Sequence, residues 1–141
     1  MFKYLKMFED INWKWDDEEE YDFNILTKVI RITDDYIEFD NGLKLLSEHE
    51  QDCCENHYLD FNHLDINDFE GLKFDLSDDK FFTRIENYGI SLNSINGYSI
   101  RIPGYGQNNG WYSSNLTLVL TDYDKYYKKF DITGCQVISD D

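Results

Sequence analysis

The chain has 141 residues, 17% of them aromatic, and its 29 acidic and 13 basic side chains leave a formal charge of −16. That length suits one domain with a proper apolar core, and the aromatic content excludes a disordered acidic tail. A field of this sign repels nucleic acid and anionic membranes and steers toward basic protein surfaces, although acidity that only keeps a protein soluble is the plainer reading.

Residues 1–23 read differently from the remainder. Phe2, Tyr4, Leu5, Met7 and Phe8 can line one or two helical turns. The run Asp16, Asp17, Glu18, Glu19 and Glu20 repels itself too strongly for a sheet, so the expectation is a short helix followed by an acidic connector. Trp13 and Trp15 flank that connector and are candidate anchors to the body or to a partner. The opening residues lack the apolar stretch of a leader peptide, and no segment reaches the length of a membrane span. With three cysteines, which cannot all pair with one another, these features lead us to expect a cytoplasmic protein with free thiols.

From Asn24 to Asp141 the apolar period becomes 2, as expected of one antiparallel β-rich domain. Ile25–Ile32 and Tyr36–Asp40 read as strands. The second meets Leu43–Leu46 across Asn41-Gly42, a pair suited to a type I′ hairpin turn. His57–Asn62 alternates well enough for a further strand. Asp65 to Gly71 predicts one helical turn, capped by Asp65 and stopped by Gly71. Lys80–Ile85, Ser99–Ile102, Leu116–Leu120 and Phe130–Ile138 supply more strands, with Pro103 at a strand end. The fold class expected is α+β: mainly antiparallel sheet, as a sandwich or an open curled sheet, with one or two short helices.

Between Ser47 and His57 lie two histidines, two cysteines and four acids. Read as a strand, this stretch places His49, Gln51, Cys53, Glu55 and His57 on one face, with Glu50, Asp52 and Cys54 on the other. A zinc site needs about four converging N or S ligands, and adjacent cysteines on opposite faces chelate poorly. Buried, inert cysteines beside hydrogen-bonded polar groups are the competing reading. A cysteine nucleophile with a histidine base would need a supporting signature that is absent. No catalytic residue, metal or cofactor is therefore assigned, and the five-residue face is kept as a candidate polar site.

Ile102 to Ser114 is rich in glycine and aromatic residues. Gly104-x-Gly106-x-x-x-Gly110 superficially resembles a phosphate loop, but it precedes a strand and lacks a lysine ending. Tyr105, Asn109, Trp111 and Tyr112 instead suggest a binding rim, weighed against rings folded onto the sheet. Asn115 opens a formal glycosylation sequon with no secretory context. Lys125, Lys128 and Lys129 among tyrosines are read as balancing nearby acids rather than gripping a single strand.

His49 to Glu55, His-Glu-Gln-Asp-Cys-Cys-Glu, and Tyr105 to Ser113, Tyr-Gly-Gln-Asn-Asn-Gly-Trp-Tyr-Ser, resemble two motifs of a family of small phage and bacterial proteins without assigned activity. The likeness spans about residues 25–121, and the second motif departs from it by Asn for Ser and Trp for Tyr. It implies a phage-like origin and a small accessory role, with no catalytic residue to carry over. The leading expectation is a non-enzymatic phage-type protein that inhibits or modulates a host component, such as an anti-phage defence nuclease. It would do so by presenting acids in place of phosphates to a basic surface, in the host cytoplasm. The alternatives are a small-molecule or nucleotide-signal sponge, and a metal- or cysteine-dependent hydrolase. Exposed sheet edges leave a homodimer open.

Overall fold

The computed structural model describes residues 26–122 and 125–140. The expected N-terminal helix and acidic connector, with Trp13, Trp15 and Asp16 to Glu20, lie outside the described residues. The chain runs through β1 (Val29–Ile32), β2 (Ile37–Phe39), β3 (Lys44–Glu48), β4 (Asn56–Leu59), β5 (Phe82–Ile85), β6 (Gly89–Asn93), β7 (Ser99–Gln107), β8 (Thr117–Asp122), β9 (Lys125–Asp131) and β10 (Val137–Ser139). Two open sheets result, one ordered β1-β2-β3-β8-β9 and the other β10-β7-β6-β5, with β4 also paired to β7. All pairings are antiparallel except β10 against β7. The mainly antiparallel expectation therefore holds. Among the described residues the helical content consists of 3-10 turns alone, at Ile66–Phe69 and Asp79–Phe81.

One apolar cluster draws on both sheets. Ile37, Phe39 and Leu45 come from one, Ile90, Leu92 and Ile102 from the other, and Phe69, Phe74 and Leu76 from the connection between β4 and β5. Phe74 packs its ring against Phe39 at 5.9 Å, edge to face. Strand β8 lies inside its sheet, and Leu118, Val119 and Leu120 are all fully buried. That is why it reads as a continuous apolar run rather than an alternating one.

The Asn41-Gly42 hairpin forms, but with different geometry. The Gly42 N–H donates to Phe39 O at 3.0 Å and the Phe39 N–H to Leu43 O at 2.9 Å, enclosing a three-residue loop. Gly42 has a φ of +93° and Asn41 is not left-handed. One positive φ at the last loop position, rather than two in the centre, distinguishes this turn from type I′. The Asn41 side chain accepts the Leu43 N–H at 3.1 Å instead. The Asp65 cap forms as expected, accepting the Asn67 N–H at 2.9 Å, and Gly71 follows with a φ of +81°.

Three strand expectations need correction. Pro103 is not at a strand end: β7 runs four residues past it, to Gln107. The proline marks a change of neighbours, because Ser99–Pro103 pairs with β6 and Gly104–Gln107 with β4. The segment expected as one strand from Phe130 to Ile138 is broken after Asp131 by a turn, in which the Cys135 N–H donates to Ile132 O at 2.9 Å. Strand β6 was not anticipated, since Asn87 and Gly89 look like turn residues. Asn87 does adopt a left-handed φ of +62° at the tight β5–β6 turn, and Gly89 already begins the strand.

Candidate functional site

Residues 49–55 are not a strand. Strand β3 ends at Glu48 and β4 begins at Asn56, so the expected division into two faces does not exist. The intervening loop winds around one carboxylate. Glu55 Oε2 accepts the Asp52 N–H at 2.7 Å and Oε1 accepts the Cys53 N–H at 2.9 Å. His49 Nε2 sits 2.8 Å from Oε2, with the two side chains 5% and 0% exposed. Burial by itself would raise the Glu55 pKa. The Asp52 N–H, the His49 ring and the Cys53 N–H overcome it and hold the carboxyl at about 2. Gln51 closes the loop from outside by donating to Glu55 O at 2.7 Å and Cys53 O at 3.1 Å.

The hydrogen-bond partners fix the orientation of the His49 and His57 rings. His49 Nδ1 lies 2.7 Å from Asn115 O and Nε2 lies against the ionised Glu55. Both of these partners only accept hydrogen bonds, so each ring nitrogen of His49 faces an oxygen. Gln136 donates its amide to Ser114 O at 2.9 Å and Thr133 O at 2.6 Å, which leaves its oxygen for His57 Nδ1 at 2.7 Å. Asn108 is oriented in the same way. Its oxygen accepts the Gly110 N–H at 2.8 Å, and its amide donates to Tyr112 O at 2.9 Å and His57 Nε2 at 3.1 Å. With the two amides so oriented, His57 Nδ1 donates to Gln136 and Nε2 accepts from Asn108. The two rings lie 4.6 Å apart.

This buried network also explains the glycine spacing. Gly104 and Gly106 lie within β7, with their Cα atoms under the residues that cross it. A Cβ on Gly106 would come 2.6 Å from His57 Cε1 and 2.8 Å from Gln136 Oε1, and one on Gly104 would come 2.5 Å from Cys135 O. Glycine inside a strand marks such close approach. These backbones are covered by protein, so the phosphate-loop likeness carries no phosphate site.

The cysteines differ from expectation in two respects. Cys53 and Cys54 are both exposed, and Cys135 is the buried one. Their side chains do not diverge: in the bent loop the two sulfurs approach to 2.9 Å. The Tyr112 hydroxyl bonds to this pair, and its contact with Cys53 is the main reason its pKa is raised. Cys54, Glu55, Asn108, Asn109, Tyr112 and Asp140 line a cleft of about 170 Å³ beside the thiols.

The aromatic rim is divided. Trp111 is 82% exposed, Tyr112 is half-buried against the thiols, and Tyr105 faces outward from β7 beside Tyr58, with centroids 6.1 Å apart. Asn109 shapes the tip by accepting the Trp111 N–H at 3.0 Å. Of the lysines, Lys128 meets Asp79 at 2.8 Å, and Lys129 stacks over Tyr126 at 4.0 Å.

Of the candidate polar face, the tertiary structure brings together His49, Glu55 and His57. Gln51 and Cys53 are placed outside the buried network. Sequence reasoning missed Asn108, Asn115 and Gln136, which orient the rings. Gln136 is 79 residues from its histidine in the chain, so no local motif could reveal it. Among the described residues, no three His, Cys, Asp or Glu side chains are arranged to hold a metal, and no helix is long and apolar enough to cross a membrane.

Comparison with curated proteins and with solved structures gives no match. One protein family does match, over residues 6–118, and its description is a domain of unknown function (DUF7448). The match begins at Lys6, so it takes in the acidic run Asp16 to Glu20, which the expected span of about residues 25–121 left out. It ends in β8, before the turn that carries Gln136. Covering well over half of the chain, it shows that the chain belongs to the DUF7448 family.

Proposed function

We propose that the protein is a non-enzymatic accessory protein of phage type that binds a basic surface on a host protein, with Trp111 as its central anchor. The observation that carries this reading is the exposure of Trp111 at the tip of a loop whose backbone is held by the Asn108 and Asn109 side chains. A large ring presented on a pre-shaped loop loses little entropy on binding and makes a good anchor. Asp140 lines the adjoining cleft, and exposed Glu50 and Asp52 belong to the loop that packs against it. With the chain at −16, these acids favour a basic partner.

Anti-defence action is the specific form proposed, with the partner a host nuclease acting in the cytoplasm. Exposed Asp34 and Asp35, together with Asp16 to Glu20, would stand in for phosphates in its nucleic-acid groove. All four ring nitrogens of His49 and His57 already have protein partners, so neither ring is poised as a base. The thiol-side cleft, at about 170 Å³, is smaller than the roughly 300–1,000 Å³ usual for ligand sites. That disfavours the sponge reading at this loop.

Quantitative pull-down from a bacterial host, with wild type and Trp111→Ala, tests the proposal. A specific partner should be retained by wild type, lost from the variant and released by salt, because the screening length falls from about 8 Å at physiological salt to about 3 Å at 1 M. Capture that is equal for both proteins and indifferent to salt would refute it. A melting rise of several degrees with a nucleotide, and no protein partner, would favour the sponge.

A further inference from the structure

We propose that Cys53 and Cys54 form a redox-sensitive dithiol, which closes to a vicinal disulfide by exchange with a low-molecular-weight disulfide and reopens by the same chemistry. Both thiols are exposed and their sulfurs are already 2.9 Å apart. A disulfide bond of about 2.05 Å requires less than about 1 Å of further approach. The pair is held in place because the Cys53 N–H is tied to the buried Glu55 carboxylate and the Cys53 carbonyl to Gln51. Cys135 is buried under β7 and is no competitor.

The exchange balances. The Cys53 thiolate attacks one sulfur of the small disulfide, whose S–S bond breaks to release one thiolate, leaving a mixed disulfide on Cys53. Cys54 loses its proton and attacks the Cys53 sulfur, expelling the second small thiolate. Together the cysteines give up two electrons and two protons, and the small disulfide becomes two thiols. Cys54 is in place to resolve the mixed disulfide because its sulfur already lies 2.9 Å from that of Cys53.

Strain supplies the reversibility. Adjacent Cα atoms are about 3.8 Å apart, shorter than the roughly 4.4–6.8 Å usual for a disulfide. Strained, exposed disulfides are the easily reduced ones. The Tyr112 side chain contacts this pair, which links the oxidation state to the loop carrying Trp111.

The test treats reduced full-length protein with oxidised glutathione at neutral pH, followed by non-reducing peptide mapping. The expected product is a peptide containing Cys53 and Cys54 that is lighter by two hydrogens, with Cys135 still free and full recovery on adding dithiothreitol. Cys54→Ser, which cannot close, should accumulate at least about tenfold more glutathione on Cys53 than wild type. A stable glutathione adduct on the wild-type pair, a bridge to Cys135 or to another chain, or unmodified thiols would each overturn the proposal. Because this readout needs no partner protein, it is independent of the binding function proposed above.

Discussion

His49 and Glu55 meet in a buried contact, Nε2 to Oε2 at 2.8 Å, with the carboxylate at the centre of the loop that joins β3 to β4. The pair orders its surroundings because neither member has water to fall back on. Glu55 draws in two backbone N–H groups, and His49 turns its other ring nitrogen to Asn115 O at the start of the approach to β8. Its main consequence is structural: it fastens a loop without regular secondary structure to both sheets.

Acid should release this loop. The folded Glu55 pKa of about 2 lies below its ordinary value of 4.5. Its contribution is therefore complete above about pH 4.5 and lost as the pH falls toward 2. Chemical denaturation of wild type across that window should show stability falling. Glu55→Gln, less stable than wild type at neutral pH, should show a flatter slope there. Parallel slopes would show that Glu55 is not the group responsible.

Gly106→Ala should destabilise by about 1–3 kcal/mol, because its methyl must displace the His57 ring or the Gln136 amide. Gly134→Ala, with open space around its Cα, is the control and should stay within about 0.5 kcal/mol. Urea midpoints of the two variants measure the difference.

Gln136→Ala leaves the buried His57 Nδ1 proton without its acceptor, at a cost of about 1–3 kcal/mol. The effect should also appear in the histidine ring resonances by NMR, where loss of the Nδ1 bond shifts the tautomer equilibrium of His57. An unchanged His57 spectrum would mean that the glutamine does not orient the ring.

Trp111→Ala should fold with wild-type stability, within about 0.5 kcal/mol, because the ring is solvated. Binding to the partner should nevertheless weaken by about 2 kcal/mol or more, the scale of an interface hot spot. Calorimetric melting and equilibrium binding on the same preparation separate the two effects.

Much of the sheet is legible in the chain. Period-2 alternation locates β2, β3 and β4 to within a few residues, Asn41-Gly42 locates a hairpin, and Asp65 with Gly71 brackets a helical turn. These features are local, since backbone propensity and turn chemistry act over a handful of neighbours. Strand β6 was hidden because its first residue is a glycine. The extension of β7 was hidden because two glycines within it read as loop, although they are there to let side chains cross the strand.

The cluster from Ser47 to His57 shows the same boundary more sharply. Its residues by themselves determine that charge, thiol and imidazole are concentrated at one place, and that the density is unusual. They do not determine which groups are paired. A period of 2 placed Cys53 and Cys54 on opposite faces, whereas the demand of a buried carboxylate for donors bends the loop and brings the sulfurs together. Which partner each ring nitrogen of His49 and His57 meets was decided by Asn108, Asn115 and Gln136, supplied from distant strands and turns. Burial makes those partners obligatory, and only the folded chain can bring them within reach.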